Sequence, residues 1–137
     1  MSRRNARETA LKILFQIDVG KMGVEEALAA GREVFELAES SSDFTEGLVW
    51  GAFNHLQELD GLIEEFSIDW PMARMASIDR NILRLAVYEI LYVGDIPASV
   101  SVNEAVELAK RYGNADSGKF VNGILGNVVR SRAKDKV

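Results

Sequence analysis

The sequence of 137 residues contains no cysteine, two prolines and one histidine. Without cysteine, the chain can form neither a disulfide framework nor a thiolate metal site. No apolar run approaches the roughly 20 residues of a membrane-spanning helix, and the N-terminus lacks the apolar core of a signal peptide. We therefore expect a cytoplasmic protein with no membrane association. Because 47% of the residues are hydrophobic, the chain can bury a core large enough to fold alone.

Residues that commonly carry enzyme chemistry are also scarce. His55 is the only histidine and is predicted to lie on the apolar face of a helix, which indicates a core residue rather than a base or a metal ligand. Asp60, Glu64 and Glu65 have helical spacing, but in so acidic a segment they are typical of a solvated face. No glycine-rich loop of the dinucleotide or nucleoside-triphosphate type occurs. We expect no catalytic site, no metal site and no cofactor.

Positive charge is scarce in the middle of the chain. Residues 24–69 carry twelve acids and a single base, Arg32, whereas residues 1–23 carry five bases and two acids, and residues 70–137 carry ten bases and seven acids. The net charge of −5 argues against binding of nucleic acid, since affinity for phosphate depends largely on cations. The distribution of charge along the chain matters more than the net charge. It restricts any anion-binding surface to the two ends of the chain.

Helical periodicity runs through most of the sequence, because apolar residues recur at spacings of three and four and no segment alternates convincingly with a period of two. The pattern predicts an all-α protein. Predicted helices cover about residues 3–19 and 24–38, a long stretch that follows a loop at 40–43 and ends near Trp70-Pro71, a buried helix at 79–93, and two more after residue 100. Pro71 disfavours helix at Trp70, which predicts subdomains of about residues 1–69 and 70–137.

The run at residues 101–125, SVNEAVELAKRYGNADSGKFVNGIL, reads as two helices joined by a tight corner. Ser101 with Glu104 three positions later has the pattern of a capping box at a helix start. Gly113 is the residue that most easily takes the left-handed conformation that ends a helix. The sequence therefore predicts a helix that begins at Ser101 and ends at Gly113.

The second helix of this run can be capped by Asp116 or Ser117. Lys119 lies in its first turn, where the helix dipole favours an acid over a base. A lysine at this position indicates an anionic ligand.

Three segments resemble the NusB family: RRNARETALKILFQ at 3–16, IDRNILRLAVYEIL at 78–91, and NEAVELAKRYG followed by DSGKFVNGIL within 103–125. The resemblance runs from end to end and implies a compact protein of about seven helices in two three-helix subdomains, acting as one RNA-binding domain over residues 1–137. It also implies a transcription antitermination factor that binds single-stranded boxA RNA together with NusE, a small-subunit ribosomal protein. The pair would join the antitermination complex on RNA polymerase, especially during transcription of ribosomal RNA. Some relatives form homodimers that mask the RNA surface, and the sequence leaves this possibility open.

The N-terminal candidates for RNA binding are three arginines and one aromatic residue. Arg3, Arg4 and Arg7 share one edge of the first predicted helix, beside its apolar face. A solvated helix start is the alternative, and the resemblance favours contact with the RNA backbone. Phe15 follows Arg4 by three helical turns on the same side and either stacks on a base or packs in the core. The resemblance places the position of Phe15 near the RNA and the partner protein.

The C-terminal candidates begin the last helix. Lys119 can bind a phosphate, Phe120 can stack on a base or join the core, and Asn122 can bond a base edge or a neighbouring group. Gly118 and Gly123 allow a close backbone approach at a cost in helix propensity. The resemblance places Asp116 beside this RNA surface, where its carboxylate weakens phosphate binding.

A polar strip on the buried helix, Asp79, Arg80 and Arg84, is the candidate for partner binding. A structural salt bridge within the strip is the alternative. The resemblance places Asp79 at the contact with NusE and both arginines nearby. An alternative for the whole chain is a helical protein-interaction module with no RNA role of its own, which its acidic charge would suit.

Overall fold

The structure, a computed structural model, describes residues 3–35, 39–68 and 70–133. Seven α-helices and one turn of 3-10 helix account for most of these residues. The α-helices are α1 (Arg3–Asp18), α2 (Val24–Phe35), α3 (Glu39–Asn54), α4 (Leu56–Phe66), α5 (Ser77–Tyr92), α6 (Ala98–Tyr112) and α7 (Ser117–Arg132), and the 3-10 turn is Met72–Arg74. No strand occurs within those three ranges. The prediction of an all-α protein is confirmed. The last three residues predicted for α2, 36–38, lie outside the described part.

The chain divides into two compact units, Met1–Asn54 and His55–Val137. In the first unit α1 packs against α2 and α3 through fully buried apolar side chains such as Ala10, Leu11 and Leu48. Thr45 of α3 donates a hydrogen bond to the carbonyl of Ala6 at 3.2 Å, which ties α3 to α1. A Cβ atom at Gly31 would lie 2.7 Å from Ile13 Cδ1, so glycine allows α2 to pass close to α1.

In the second unit α5 packs against α4, α6 and α7. Its side chains are buried on almost every side, as its sequence predicts; Ile82, Leu83 and Val87 have no exposed surface. Such all-round burial makes α5 the scaffold on which the neighbouring helices are positioned.

The long helix predicted to end near Trp70-Pro71 is two helices, α3 and α4, because the chain leaves helical geometry at His55 (φ −113°, ψ 18°), and the second of them ends at Phe66. The His55 ring lies 4.4 Å from the ring of Tyr92 and 5.8 Å from that of Tyr88. His55 is half-buried in this aromatic contact, so the prediction of a core residue on a helix face is wrong. The boundary between the two compact units follows this break rather than the Trp70-Pro71 seam.

The predicted loop at residues 40–43 is helical and belongs to α3. Local sequence favours caps and turns in a serine cluster. Tertiary contacts outweigh that preference here, since the buried Thr45 bonds to α1 immediately afterwards.

No described helix is long and apolar enough to cross a membrane. Across the same residues, no group of three or more His, Asp or Glu side chains is placed to hold a metal ion.

Candidate nucleic-acid interface

Ser101 does not cap α6. The helix begins earlier, at Ala98, directly after Pro97, which adopts the extended backbone that precedes a helix (φ −58°, ψ 140°). One turn into the helix, the buried Ser101 hydroxyl donates to the Glu89 carboxylate of α5 at 2.8 Å. The predicted capping box is therefore wrong, and Ser101 instead fixes α6 against the scaffold helix.

The corner between α6 and α7 depends on a close approach rather than on a left-handed residue. Gly113 has φ −92°, outside the left-handed region, so the predicted conformation is wrong. A Cβ atom at Gly113 would collide with the Cβ and Oγ atoms of Ser117 and would lie 2.8 Å from the carbonyl oxygen of Ala109. Glycine is required here because the start of α7 folds back tightly onto the end of α6.

Asn114 organises the start of α7, where the sequence predicted a cap from Asp116 or Ser117. Its Oδ1 atom accepts the backbone N–H of Asp116 at 2.9 Å and the hydroxyl of Ser117 at 3.3 Å, while its own N–H donates to Ser117 Oγ at 3.0 Å. Asp116 holds the N-cap position without a side-chain cap bond, and the first turn contains no acid. With Lys119 in that turn, the dipole at the start of α7 favours an anion.

A groove of about 380 Å³ lies between α6 and α7 beside this corner. We call it the basic groove, and its lining is Val106, Lys110, Asn114, Ala115, Gly118, Lys119 and Asn122. It brings together the predicted Lys119, Asn122 and Gly118, of which the first two are exposed. A Cβ atom at Gly118 would lie 3.4 Å from Lys110 Cγ, so the aliphatic part of Lys110 runs along the first turn of α7.

The sequence pattern does not identify Lys110 as a site residue. Its side chain is 65% exposed, and its ammonium lies 3.8 Å from the exposed carboxylate of Glu107. Such an exposed pair is weak and leaves the ammonium available to another anion. The Lys110-Arg111 pair in the last turn of α6 is the available signal, but periodicity alone does not show that Lys110 reaches α7.

A second concavity, of about 520 Å³, also borders the corner, and we call it the aromatic cleft. Its lining is Trp70, Arg74, Met75, Ala76, Asp79, Asn114, Asp116 and Phe120. Asn114 therefore contributes to both concavities. The cleft unites Asp116 and Phe120, predicted to lie near RNA, with Asp79, predicted to contact the partner protein.

Trp70 and Arg74 were also missed as site residues. Trp70 is 45% exposed, and the Arg74 guanidinium lies 5.4 Å from the centre of its ring. Phe120 is half-buried, which combines the two alternatives left open for it. In the sequence, a tryptophan beside a proline indicates a helix boundary, although exposed aromatic rings also mark binding surfaces.

The three residues of the polar strip on α5 have different surroundings: Asp79 lines the aromatic cleft, whereas Arg80 and Arg84 bond to other parts of the second unit. Arg84 is 8% exposed and forms a two-pronged pair with Asp60 of α4, with both nitrogen–oxygen distances 2.8 Å. Arg80 donates to the carbonyl of Met72 at 3.4 Å and so holds the 3-10 turn. The structure supports the salt-bridge alternative for Arg84, with Asp60 rather than Asp79 as the acid. Asp79 lines the cleft and is 6% exposed.

The N-terminal arginines do not form one exposed edge. The guanidinium carbons of Arg3 and Arg7 lie 4.7 and 5.7 Å from the centre of the Phe44 ring within the first unit. Arg7 is only 6% exposed and is the least able of the three to reach a ligand, whereas Arg3 and Arg4 are exposed. Phe15 is half-buried, between the two alternatives predicted for it.

An all-helical protein that gathers lysines, asparagines and accessible aromatic rings at one helix–helix corner has the composition of a nucleic-acid-binding protein. Residues 4–130 match the model of the NusB family. The chain belongs to this family.

Similar proteins match nearly the whole chain. The transcription antitermination protein NusB of Pelotomaculum thermopropionicum is 52% identical over 131 residues, which cover 96% of this chain and 91% of the relative. The solved structure of T. maritima NusB superposes with a TM-score of 0.93 at 36% identity and covers 99% of this chain and 96% of that one. A crystal structure of the antitermination factors NusB and NusE in complex with dsRNA superposes with a TM-score of 0.87 at 28% identity, covering 94% of this chain and 96% of that one.

Proposed function

We propose that this protein is a cytoplasmic transcription antitermination factor that binds single-stranded boxA RNA together with NusE. The pair joins the antitermination complex on RNA polymerase, especially on ribosomal RNA transcripts. The protein acts by assembly and without catalysis. Support comes from membership of the NusB family and from the solved complex of a relative with NusE and RNA.

The observation that carries the RNA-binding proposal is the basic groove. Lys119 and Lys110 approach the same groove from different helices, and Asn122 adds an exposed amide one turn along α7. Two ammonium groups and an amide suit a phosphodiester backbone and the polar edge of a nucleotide. Arg3 and Arg4 are the exposed cations of α1 that provide further phosphate contacts.

NusE contributes cations that this chain has in short supply. With a net charge of −5, the free protein binds RNA only modestly, because its acids oppose the approach of phosphate. A basic ribosomal protein offsets this repulsion and extends the contact surface. Asp79 is the residue of the α5 strip proposed for its contact, because Arg80 and Arg84 are committed to Met72 and Asp60.

The R4A/K119A double variant tests this function. Arg7 stays in place because it is buried, and its removal would confuse binding with folding. The double variant is expected to bind boxA RNA about tenfold or more weakly, and the slope of log affinity against log salt should fall by about 1.4, which is 0.7 for each lost phosphate contact. Affinity for NusE alone should remain at the wild-type value.

The matched control is R130A/R132A, which removes two exposed cations from the last turn of the same helix α7. It changes the net charge by the same amount, so it should lower RNA affinity far less. Equal effects of the two double variants would show that only overall charge matters. In that case the interaction module without an RNA role, suited by the acidic net charge, becomes the better account.

A further inference from the structure

One aromatic ring of α3 contacts two of the arginines of α1. The guanidinium carbons of Arg3 and Arg7 lie 4.7 and 5.7 Å from the centre of the Phe44 ring, within the range of cation–π attraction. We propose that Phe44 is a positioning residue for RNA binding, because this contact holds Arg3 in place for a phosphate of the RNA. This inference rests on the proposed RNA-binding function and adds to it the residue that orders its N-terminal cation.

The charges at the start of α1 are unfavourable for an isolated helix. The first turn of α1 contains no acid, and Arg3 and Arg7 are four residues apart on one side of the helix. Cations at a helix N-terminus oppose the dipole, and like charges at positions i and i+4 repel each other. A helix with only a structural role would gain stability from an acid here. The arrangement instead suits a helix start that meets an anion such as phosphate.

Packing between α1 and α3 fixes the place of Phe44. The next residue, Thr45, is almost fully buried and donates a hydrogen bond of 3.2 Å to the carbonyl of Ala6 of α1. Leu48, one turn further along α3, is also almost fully buried. These contacts set the register of α3 against α1, and the half-buried Phe44 ring therefore lies beside the arginines.

An aromatic ring holds a guanidinium group without neutralising it. Phenylalanine carries no net charge, so its contact leaves the positive charge of the arginine intact, whereas a carboxylate partner would cancel it. Arg7 is 6% exposed and Arg3 is exposed, so the ring joins a buried guanidinium to one that a ligand can reach. Ordering the Arg3 side chain in advance lowers the conformational entropy that binding would otherwise cost. Phe44 therefore favours phosphate binding without itself touching the RNA.

A double-mutant cycle of Phe44 and Arg3 tests the inference. F44L removes the ring but keeps an apolar side chain, and R3A removes the cation; the anisotropy of a labelled single-stranded boxA RNA at low salt reports the affinity of each variant. F44L should bind the RNA about two- to fivefold more weakly than the wild type, the range for one exposed cation–π contact. R3A should bind at least as weakly as F44L. In the R3A background F44L should have no further effect, because Phe44 acts through Arg3.

Further variants separate the effect of the ring from that of helix packing. F44Y keeps the ring face and should bind RNA with the wild-type affinity. F53L is the matched control, because Phe53 also lies on α3, is 40% exposed and packs edge-to-face against Trp50 at 6.4 Å between ring centres. It should leave RNA affinity unchanged. If F44L is not folded at the assay temperature, F44M takes its place in the cycle, because methionine fills irregular space and also lacks a ring.

The outcomes separate this inference from the function on which it rests. An equal loss of affinity from F44L in the wild-type and R3A backgrounds, or from F44Y and F44L, would show that Phe44 acts by packing and would overturn the inference. Wild-type RNA affinity of R3A or of F44L would also overturn it, and would leave the basic groove as the proposed RNA site. Absence of RNA binding by the wild-type protein at low salt, with and without NusE, would overturn both the inference and the proposed function.

Discussion

The hydroxyl of Ser101 on α6 donates a hydrogen bond of 2.8 Å to the carboxylate of Glu89 on α5, and both side chains are almost fully buried. A buried carboxylate is costly unless it is hydrogen-bonded, so this contact stabilises the packing of α6 on the scaffold helix. Because α6 leads directly into the corner that carries the basic groove, the contact also positions the candidate RNA site.

Removal of this hydroxyl tests its structural role. S101A should lower the free energy of unfolding by about 1.5–3 kcal/mol, since one donor to a charged buried acceptor is lost. S99A is the matched control, because Ser99 lies in the first turn of the same helix and is exposed; its effect should stay within about 0.5 kcal/mol. Denaturant unfolding of both variants provides the comparison. Equal free energies of unfolding for S101A and S99A would contradict a structural role for the Ser101–Glu89 hydrogen bond.

The Asp60–Arg84 pair predicts a second stability effect. D60N should lower the free energy of unfolding by about 3 kcal/mol, because it leaves a largely buried guanidinium without its charged partner. E107Q breaks the exposed Lys110–Glu107 pair and should cost less than about 0.5 kcal/mol. If D60N were fully stable but lost affinity for NusE, Arg84 would instead belong to the partner contact.

Replacement of Gly113 and of Gly123 by alanine should change the free energy of unfolding in opposite directions. G113A should lower the free energy of unfolding by about 2 kcal/mol, because the new Cβ would collide with Ser117 at the corner. G123A should raise it by about 0.5–1 kcal/mol, because Gly123 lies inside α7 and a Cβ there would meet nothing within 4 Å. If RNA approaches the backbone of α7 closely, G123A should at the same time weaken RNA binding. A stabilised G123A with wild-type RNA affinity would exclude this close approach.

Asp116 predicts a gain of affinity. D116N should tighten RNA binding about two- to fivefold at low salt, because it removes an exposed negative charge adjacent to the proposed phosphate site. D95N replaces another exposed aspartate of the same unit and should have little effect. Anisotropy titrations at two salt concentrations suffice, since the gain should shrink as salt rises. Unchanged or weaker binding by D116N would place Asp116 away from the RNA.

The sequence predicts the fold class and most helices because the residues that a helix buries recur in the local sequence with helical spacing. The apolar pattern of α5 identifies the buried scaffold helix, and Gly113 marks the end of α6 as predicted. Where the prediction failed, a tertiary contact decided the outcome. At His55 the helical pattern of the sequence continues without glycine or proline, but the chain leaves the helix and the His55 ring packs on two tyrosine rings. Ser101 donates its hydrogen bond to Glu89 of α5 and does not cap its own helix.

Some residues of the candidate site can likewise be predicted from local sequence, and others only from tertiary packing. Lys119, Phe120 and Asn122 follow one another along a single helix, so local sequence places them together. Lys110 and Trp70 come from different segments, and only the packing of α6, α7 and the 3-10 turn brings them to the same corner. Helical periodicity shows which face of each helix is apolar, but not which distant segments meet.

The most direct test of the proposed function is fluorescence anisotropy of a labelled single-stranded boxA RNA and of its scrambled control. Each is titrated with this protein, with and without NusE, over a series of salt concentrations. The account predicts selective binding of boxA RNA that NusE strengthens, with log affinity falling by about 0.7 for each phosphate contacted per unit of log salt. Equal binding of the two RNAs, or no binding of either with NusE present, would contradict it.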